Sequence, residues 1–138
     1  MRATAIFTVK AFVPTELRSE PAIVTGVPVG VATMEKHFEG EAAGRSATLF
    51  TAAFDQTTGV GTYVAMESFE GALHGREGAF NFVHSATTSG SDRSAEFFTI
   101  VPSSGTGALT GITGAGGMAV DEDGTHRMWF DYRLDQLD

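Results

Sequence analysis

Apolar and polar residues alternate with a period of two along most of this chain, and almost no window places apolar residues at i, i+3, i+4 and i+7. A chain patterned this way folds as β-sheet. Its β-branched and aromatic runs are cut by turn signals at Asp55-Gln56-Thr57-Thr58-Gly59, His74-Gly75-Arg76-Glu77, Ser89-Gly90-Ser91-Asp92 and Glu122-Asp123-Gly124-Thr125. The strands expected between them are Ala3–Val13, Val24–Glu39, Glu41–Phe54, Thr62–Leu73, Ala79–Thr87, Ala95–Val101, Gly117–Val120 and His126–Leu134. Only Pro14–Glu20 reads as a helical turn. Eight short strands predict an all-β fold, a single eight-stranded antiparallel up-and-down barrel that leaves no sheet edge exposed; a β-sandwich is its rival. One domain, residues 1–138, holds them all.

Composition sharpens this. Glycine reaches 17 of 138 residues with only 4 prolines, well above the usual share of about 7%, so glycine has positional work in turns and strand bends. Nine basic residues against 17 acidic ones give a net charge of -8. No basic stripe can neutralise successive phosphates, which argues against nucleic acid as a partner. The absence of cysteine removes disulfides, thiol nucleophiles and cysteine-ligated metals. No segment approaches the roughly 18 consecutive apolar residues of a membrane helix, and Met1–Lys10 lacks the apolar run of a signal peptide. A cytoplasmic protein is expected.

Two hairpins can be given a register. Gly75-Arg76 as the two central residues of a type II′ turn sets Gly71 opposite Phe80, Phe69 opposite Phe82 and Glu67 opposite His84. The face with Tyr63, Ala65, Glu67, Phe69, Phe80, Phe82 and His84 is the more aromatic and is taken as the interior, with Phe80 covering Gly71. In the second hairpin a turn at Asp123-Gly124 pairs Met128 with Ala119, Phe130 with Gly117 and Tyr132 with Ala115. Met128, Phe130, Tyr132 and Leu134 then line the interior. Trp129 falls outside, opposite Met118, as a candidate contact between copies in a homo-oligomer.

The string Gly61-Thr62-Tyr63-Val64-Ala65-Met66-Glu67-Ser68-Phe69-Glu70-Gly71-Ala72-Leu73-His74-Gly75-Arg76-Glu77-Gly78-Ala79-Phe80, followed by His84, resembles a bacterial family of small calycin-like barrels, domain of unknown function 3224. Val101-Pro102-Ser103-Ser104-Gly105-Thr106-Gly107-Ala108-Leu109-Thr110-Gly111-Ile112 and Asp123-Gly124-Thr125-His126 resemble it too. The resemblance runs from about Phe7 to Leu134 and departs at Ala43, where such sequences carry an acid. More distantly, Gly105-Thr106-Gly107 with Leu109 and Gly111 is similar to the corresponding turn of allene oxide cyclase-like barrels. The resemblance implies an eight-stranded barrel with a lumen and supplies no activity.

Glu67 facing His84 on an interior face is the sharpest chemical candidate. Opposed side chains in a sheet lie close enough for a carboxylate to hydrogen-bond an imidazole. With Tyr63 beside them, such a dyad can move a proton at neutral pH, Glu67 orienting His84; a satisfied buried polar pair has the same residues and does nothing more. The four histidines share no ligand spacing, so no metal is expected. The Gly105–Gly117 stretch lacks the helix that a phosphate cradle needs and reads as turns at a barrel corner; no cofactor is expected. Asp121-Glu122-Asp123-Gly124 reads as a hairpin turn rather than a calcium loop. Arg76 in its turn reads as a surface ion-pair residue, and Arg45 points inward if it shares a face with Ala43 and Leu49.

The first functional expectation is a small hydrophobic molecule held in the lumen by Phe69, Phe82, Met128, Phe130 and Tyr132, with Glu67 and His84 as the polar end. A cyclase or isomerase using Glu67, His84 and Tyr63 is the alternative, resting partly on fold analogy. A structural or interaction protein with a filled core is the third.

Overall fold

Eight antiparallel strands follow in order: β1 (Arg2–Pro14), β2 (Val29–Gly40), β3 (Ala42–Asp55), β4 (Val60–Leu73), β5 (Arg76–Ser89), β6 (Asp92–Ile100), β7 (Ile112–Val120) and β8 (His126–Leu134). Each pairs with its chain neighbour, and β8 returns to β1 through Ala3↔Phe130 and Ala5↔Met128 to close the barrel. The ring of pairing decides for the barrel over the sandwich. This computed structural model describes residues 1–90 and 92–134, so Ser91 of one turn signal and residues 135–138 lie outside the described residues. Pro14–Glu20 is not helical: β1 ends at Pro14 and an irregular segment leads to Val29, later than the expected start at Val24. β7 begins at Ile112 rather than at Gly117, so Gly114 and Gly116 belong to a strand rather than to a corner. No helix among the described residues is long and apolar enough to cross a membrane.

The inner face is aromatic. Phe7, Phe38, Phe69, Phe80, Phe82, Phe130 and Tyr132 are all buried. Phe82 and Phe130 meet edge to face at 5.0 Å between centroids, and Phe80 and Phe130 at 5.4 Å, the geometry that the quadrupole of an aromatic ring favours. Phe69, Phe82, Met128, Phe130 and Tyr132, the expected lumen contacts, pack into one cluster with these rings. Burying each such side chain contributes about 2–3 kcal/mol relative to exposure, so the lower barrel is held by its own filling.

Both hairpin registers differ from expectation, with opposite consequences. The β4–β5 turn is His74-Gly75, with φ of +50° and +78°. Both central residues are left-handed, as a type I′ turn requires, and histidine tolerates that region better than most side chains. Leu73 therefore pairs with Arg76, Phe69 with Phe80 and Gly71 with Gly78. Phe80 does not cover Gly71, and Arg76 opens β5 instead of sitting in the turn. Glu67 faces Phe82, while His84 faces Ala65. A slip of two residues keeps every side chain on its face, so the interior assignment survives.

The β7–β8 loop holds three residues, Glu122-Asp123-Gly124. The Gly124 N–H reaches the Asp121 carbonyl, the Asp121 N–H reaches the Thr125 carbonyl, and Gly124 is left-handed at φ +89°. The Asp123 carboxylate also accepts the Thr125 N–H. This is a turn closed by a glycine bulge, and it shifts the register by one. Met128 pairs with Met118, Phe130 with Gly116 and Tyr132 with Gly114. A one-residue slip exchanges faces: Met118 turns inward, and Trp129 lies outside on Gly117, where a Cβ would come within 2.2 Å of its ring. The expected Trp129/Met118 contact patch does not form.

Candidate functional site

On the inner face above the aromatic core sits a polar cluster. β2 alternates Ala32, Met34, Lys36 and Phe38 inward, which buries Lys36 at 2% exposure. β3 presents Ser46 and Thr48, β4 presents Tyr63 and Glu67, and β5 presents His84. Glu67 Oε2 accepts from Lys36 Nζ at 2.6 Å and from His84 Nε2 at 2.5 Å, and Glu67 Oε1 accepts from Ser46 Oγ at 2.7 Å. Diagonal placement across β4 and β5 thus joins Glu67 to His84 as well as direct opposition would have done.

The chain of hydrogen bonds continues outward. Tyr63 Oη lies 2.9 Å from His84 Nδ1, and Arg93 Nη2 donates to Tyr63 Oη at 2.8 Å. Arg93 Nε donates to Glu96 Oε1 at 2.9 Å. Burial alone would raise the Glu67 carboxyl, but the His84 hydrogen bond and the Lys36 ammonium outweigh it and hold the group at about 2. Burial pushes the His84 imidazole below its usual value, with Glu67 opposing and Lys36 reinforcing the shift. Burial raises the Tyr63 phenol, against the pull of Arg93. These states assign every proton: an ionised Glu67 can only accept, so His84 carries its hydrogen on Nε2 and its bare Nδ1 accepts from the Tyr63 hydroxyl.

Arg93 reaches this cluster because of a bulge. In β6, Phe98 opposes His84 and Phe97 opposes Ser85, but Ser94 opposes Thr87, which leaves Ala95 and Glu96 together against Ala86. Ala95 adopts φ +52°, a left-handed conformation that costs a non-glycine residue about 1 kcal/mol. In an unbroken ladder Arg93 would oppose Ser89 on the outer face. The bulge moves it opposite Thr88 and turns it inward.

Beside the bulge the barrel wall is open. β6 and β7 share one register pair, Thr99↔Ala115, and a cleft of about 180 Å³ enters there, lined by His84, Arg93, Glu96, Phe98, Met118 and Trp129 among others. The outer end of the hydrogen-bond chain therefore faces a space that a ligand can fill.

One group at the site is unsatisfied. Thr48, opposite Glu67 and 2% exposed, has a hydroxyl without a hydrogen-bond partner among the described residues. An orphaned buried hydroxyl costs about 1–3 kcal/mol. Thr48→Val removes it at nearly constant shape and is expected to stabilise the protein by about 1 kcal/mol, read as a higher urea midpoint; a loss of that size would show that the hydroxyl is bonded.

The structure brings Glu67, His84 and Tyr63 together. Lys36, Ser46, Arg93 and Glu96 had no place in the sequence reading. Alternation in β2 could have found Lys36, since Met34 and Phe38 flank it on the same face. Nothing in the sequence signals the bulge that turns Arg93. Arg45 points outward and pairs with Glu70 at 2.6 Å; outward Leu49 made the wrong face of β3 look apolar. His74 lies at the other end of the barrel on the Tyr132 hydroxyl at 2.6 Å. No group of three or more metal-binding side chains occurs among the described residues.

A family model described as "Protein of unknown function (DUF3224)" matches residues 3–132. Among solved structures, the chain is similar to a protein with unknown function of the same family from Shewanella oneidensis MR-1, with a TM-score of 0.84 and 29% identity over 99% of this chain and 98% of that one. No curated protein matches.

Proposed function

This chain belongs to the DUF3224 family, and since that family's description names no activity, we propose a function from the site itself: the barrel binds a small molecule, about one ring in size, in the β6–β7 cleft. The observation that carries this reading is the cleft ending on His84 and Arg93. Its volume of about 180 Å³ compares with the roughly 150 Å³ of an apolar cavity that takes up benzene. Phe98, Met118 and Trp129 supply apolar walls; His84 and Arg93 supply the polar end. The ligand is assigned to the wall rather than to the lumen, where Phe69, Phe82, Met128, Phe130 and Tyr132 serve as core.

The protein carries a single tryptophan, and Trp129 lines the cleft, so ligand entry has a built-in reporter. A panel of one-ring compounds titrated into the protein is expected to change Trp129 fluorescence and to move the amide signals of Phe98, Gly117 and Met118. Binding that perturbs only other parts of the barrel, or no binding up to millimolar concentrations, would overturn the reading and leave a structural role.

The Tyr63–His84–Glu67 chain favours a second reading, an isomerase or cyclase in which His84, the member of the chain that lines the cleft, exchanges a proton with the substrate while Tyr63 and Glu67 orient the imidazole. Lys36 weighs against it, because an ammonium already neutralises Glu67 and resists the imidazolium that the proton transfer needs. Replacing His84 by Gln separates the two: turnover lost with binding retained supports catalysis, and turnover unchanged removes it.

A further inference from the structure

We infer that the ligand of the β6–β7 cleft is a monoanionic ring compound whose carboxylate is held by the Arg93 guanidinium. This rests on the binding reading above and names the ligand class. The first ground is the bulge at Ala95–Glu96, a strained departure from the ladder whose effect is to turn one cation from the outer face to the inner one. Bulges of this kind recur beside functional sites, where they re-aim a side chain.

The second ground is what Arg93 leaves unused. A guanidinium has five N–H groups. One goes to Glu96 and one to Tyr63, and the rest have no acceptor among the described residues, although the side chain is only 19% exposed. A planar fork of donors matches a carboxylate in two parallel hydrogen bonds. Glu96, which lines the cleft and pairs with Arg93 at 2.9 Å, and the net charge of -8 repel a dianion such as phosphate far more than a single carboxylate.

The third ground is the space behind the fork. His84 and Phe98 stack at 5.7 Å with planes 19° apart, and Phe98 continues onto Phe82 at 5.3 Å and 9°. His84 and Phe98 line the cleft with nearly parallel rings, and Met118 and Trp129 line it beside them, so a ring in the cleft meets aromatic and apolar surface. Ring and carboxylate together fit a space slightly larger than benzene requires.

The probes are benzoate and its neutral counterparts benzamide and benzyl alcohol, titrated against Trp129 fluorescence and by calorimetry. Benzoate is expected to bind at least about tenfold more tightly than either, a difference of about 1.4 kcal/mol, and to weaken as salt rises. Arg93→Gln is expected to bring the benzoate-to-benzyl alcohol affinity ratio down to within about threefold of one, and Arg93→Lys to restore only part of the preference. Neutral probes that bind as well as benzoate, or a preference that survives Arg93→Gln, overturn the carboxylate inference and leave the binding reading standing. If no one-ring compound of either charge binds, both fall.

Discussion

Glu67→Gln is expected to cost the fold about 4 kcal/mol, because it leaves the Lys36 ammonium buried without its counter-charge. Both side chains are almost completely enclosed, at 3% and 0% exposure. Water cannot replace the lost carboxylate. The amide of Gln can still accept from His84, so the loss isolates the charge on Lys36 rather than the hydrogen bond. Adding Lys36→Met to Glu67→Gln removes the unpaired charge while the Gln amide keeps partners for His84 and Ser46, so the double variant is expected to recover most of the loss. Urea unfolding of the two variants decides it. A single-variant loss within about 1 kcal/mol of the double variant would show that Lys36 escapes to water when unpaired.

The same cluster sets the acid limit of the protein. The Glu67 carboxyl is held at about 2 in the fold against an ordinary value near 4.5. Its contribution is therefore fully present above the ordinary value and is lost as pH falls through this window. Linkage makes that about 3 kcal/mol. His84 acts in the same direction: its folded value lies below the usual 6.5, so on acidification the unfolded chain takes that proton first and stability falls. Lys36→Met removes one cause of the depressed His84 value, and the imidazole is then expected to titrate at higher pH, followed by its ring signals in NMR.

How much of this was legible in the sequence depends on which side-chain parity each feature needs. Alternation identified the strands and placed Glu67, His84 and Tyr63 on one inner face. The wrong turn at Gly75-Arg76 did no harm, because the true turn at His74-Gly75 slips the register by two. The Asp123-Gly124 turn did harm, because one additional loop residue exchanges the faces of β7 and brings Met118 inside. That extra residue depends on which backbone groups Asp121 and Thr125 bond, and a two-residue loop has the same Asp-Gly signature. The bulge at Ala95 is the same problem in harder form. Its residues carry no glycine, and its effect on Arg93 depends on pairing with β5. Buried Lys36 is a problem of partners: a lysine among apolar neighbours reads as an interruption until Glu67 is seen to meet it.

Glycine supplies the other large expected effect. Gly44 and Gly71 oppose each other across β3 and β4 with φ of +153° and +154°. A Cβ on Gly71 would stand 2.1 Å from the Ala43 carbonyl oxygen and 2.7 Å from Gly44 Cα. These obstacles are backbone atoms fixed by the β3–β4 ladder, so no side-chain rotation relieves them. Gly71→Ala therefore combines a disfavoured dihedral with a forced separation of two strands, and is expected to cost about 3 kcal/mol. Gly75→Ala is the control. Gly75 is also left-handed, at φ +78°, but nothing lies within 4 Å of its absent Cβ, so only the dihedral cost of about 1 kcal/mol applies. Ser46 and Glu67 lie on the same two strands, Ser46 two residues beyond Gly44. Prying these strands apart is expected to lengthen the Ser46 bond to Glu67 as well as lower the urea midpoint. Equal losses in the two variants would show that the close approach of β3 and β4 carries no energetic weight.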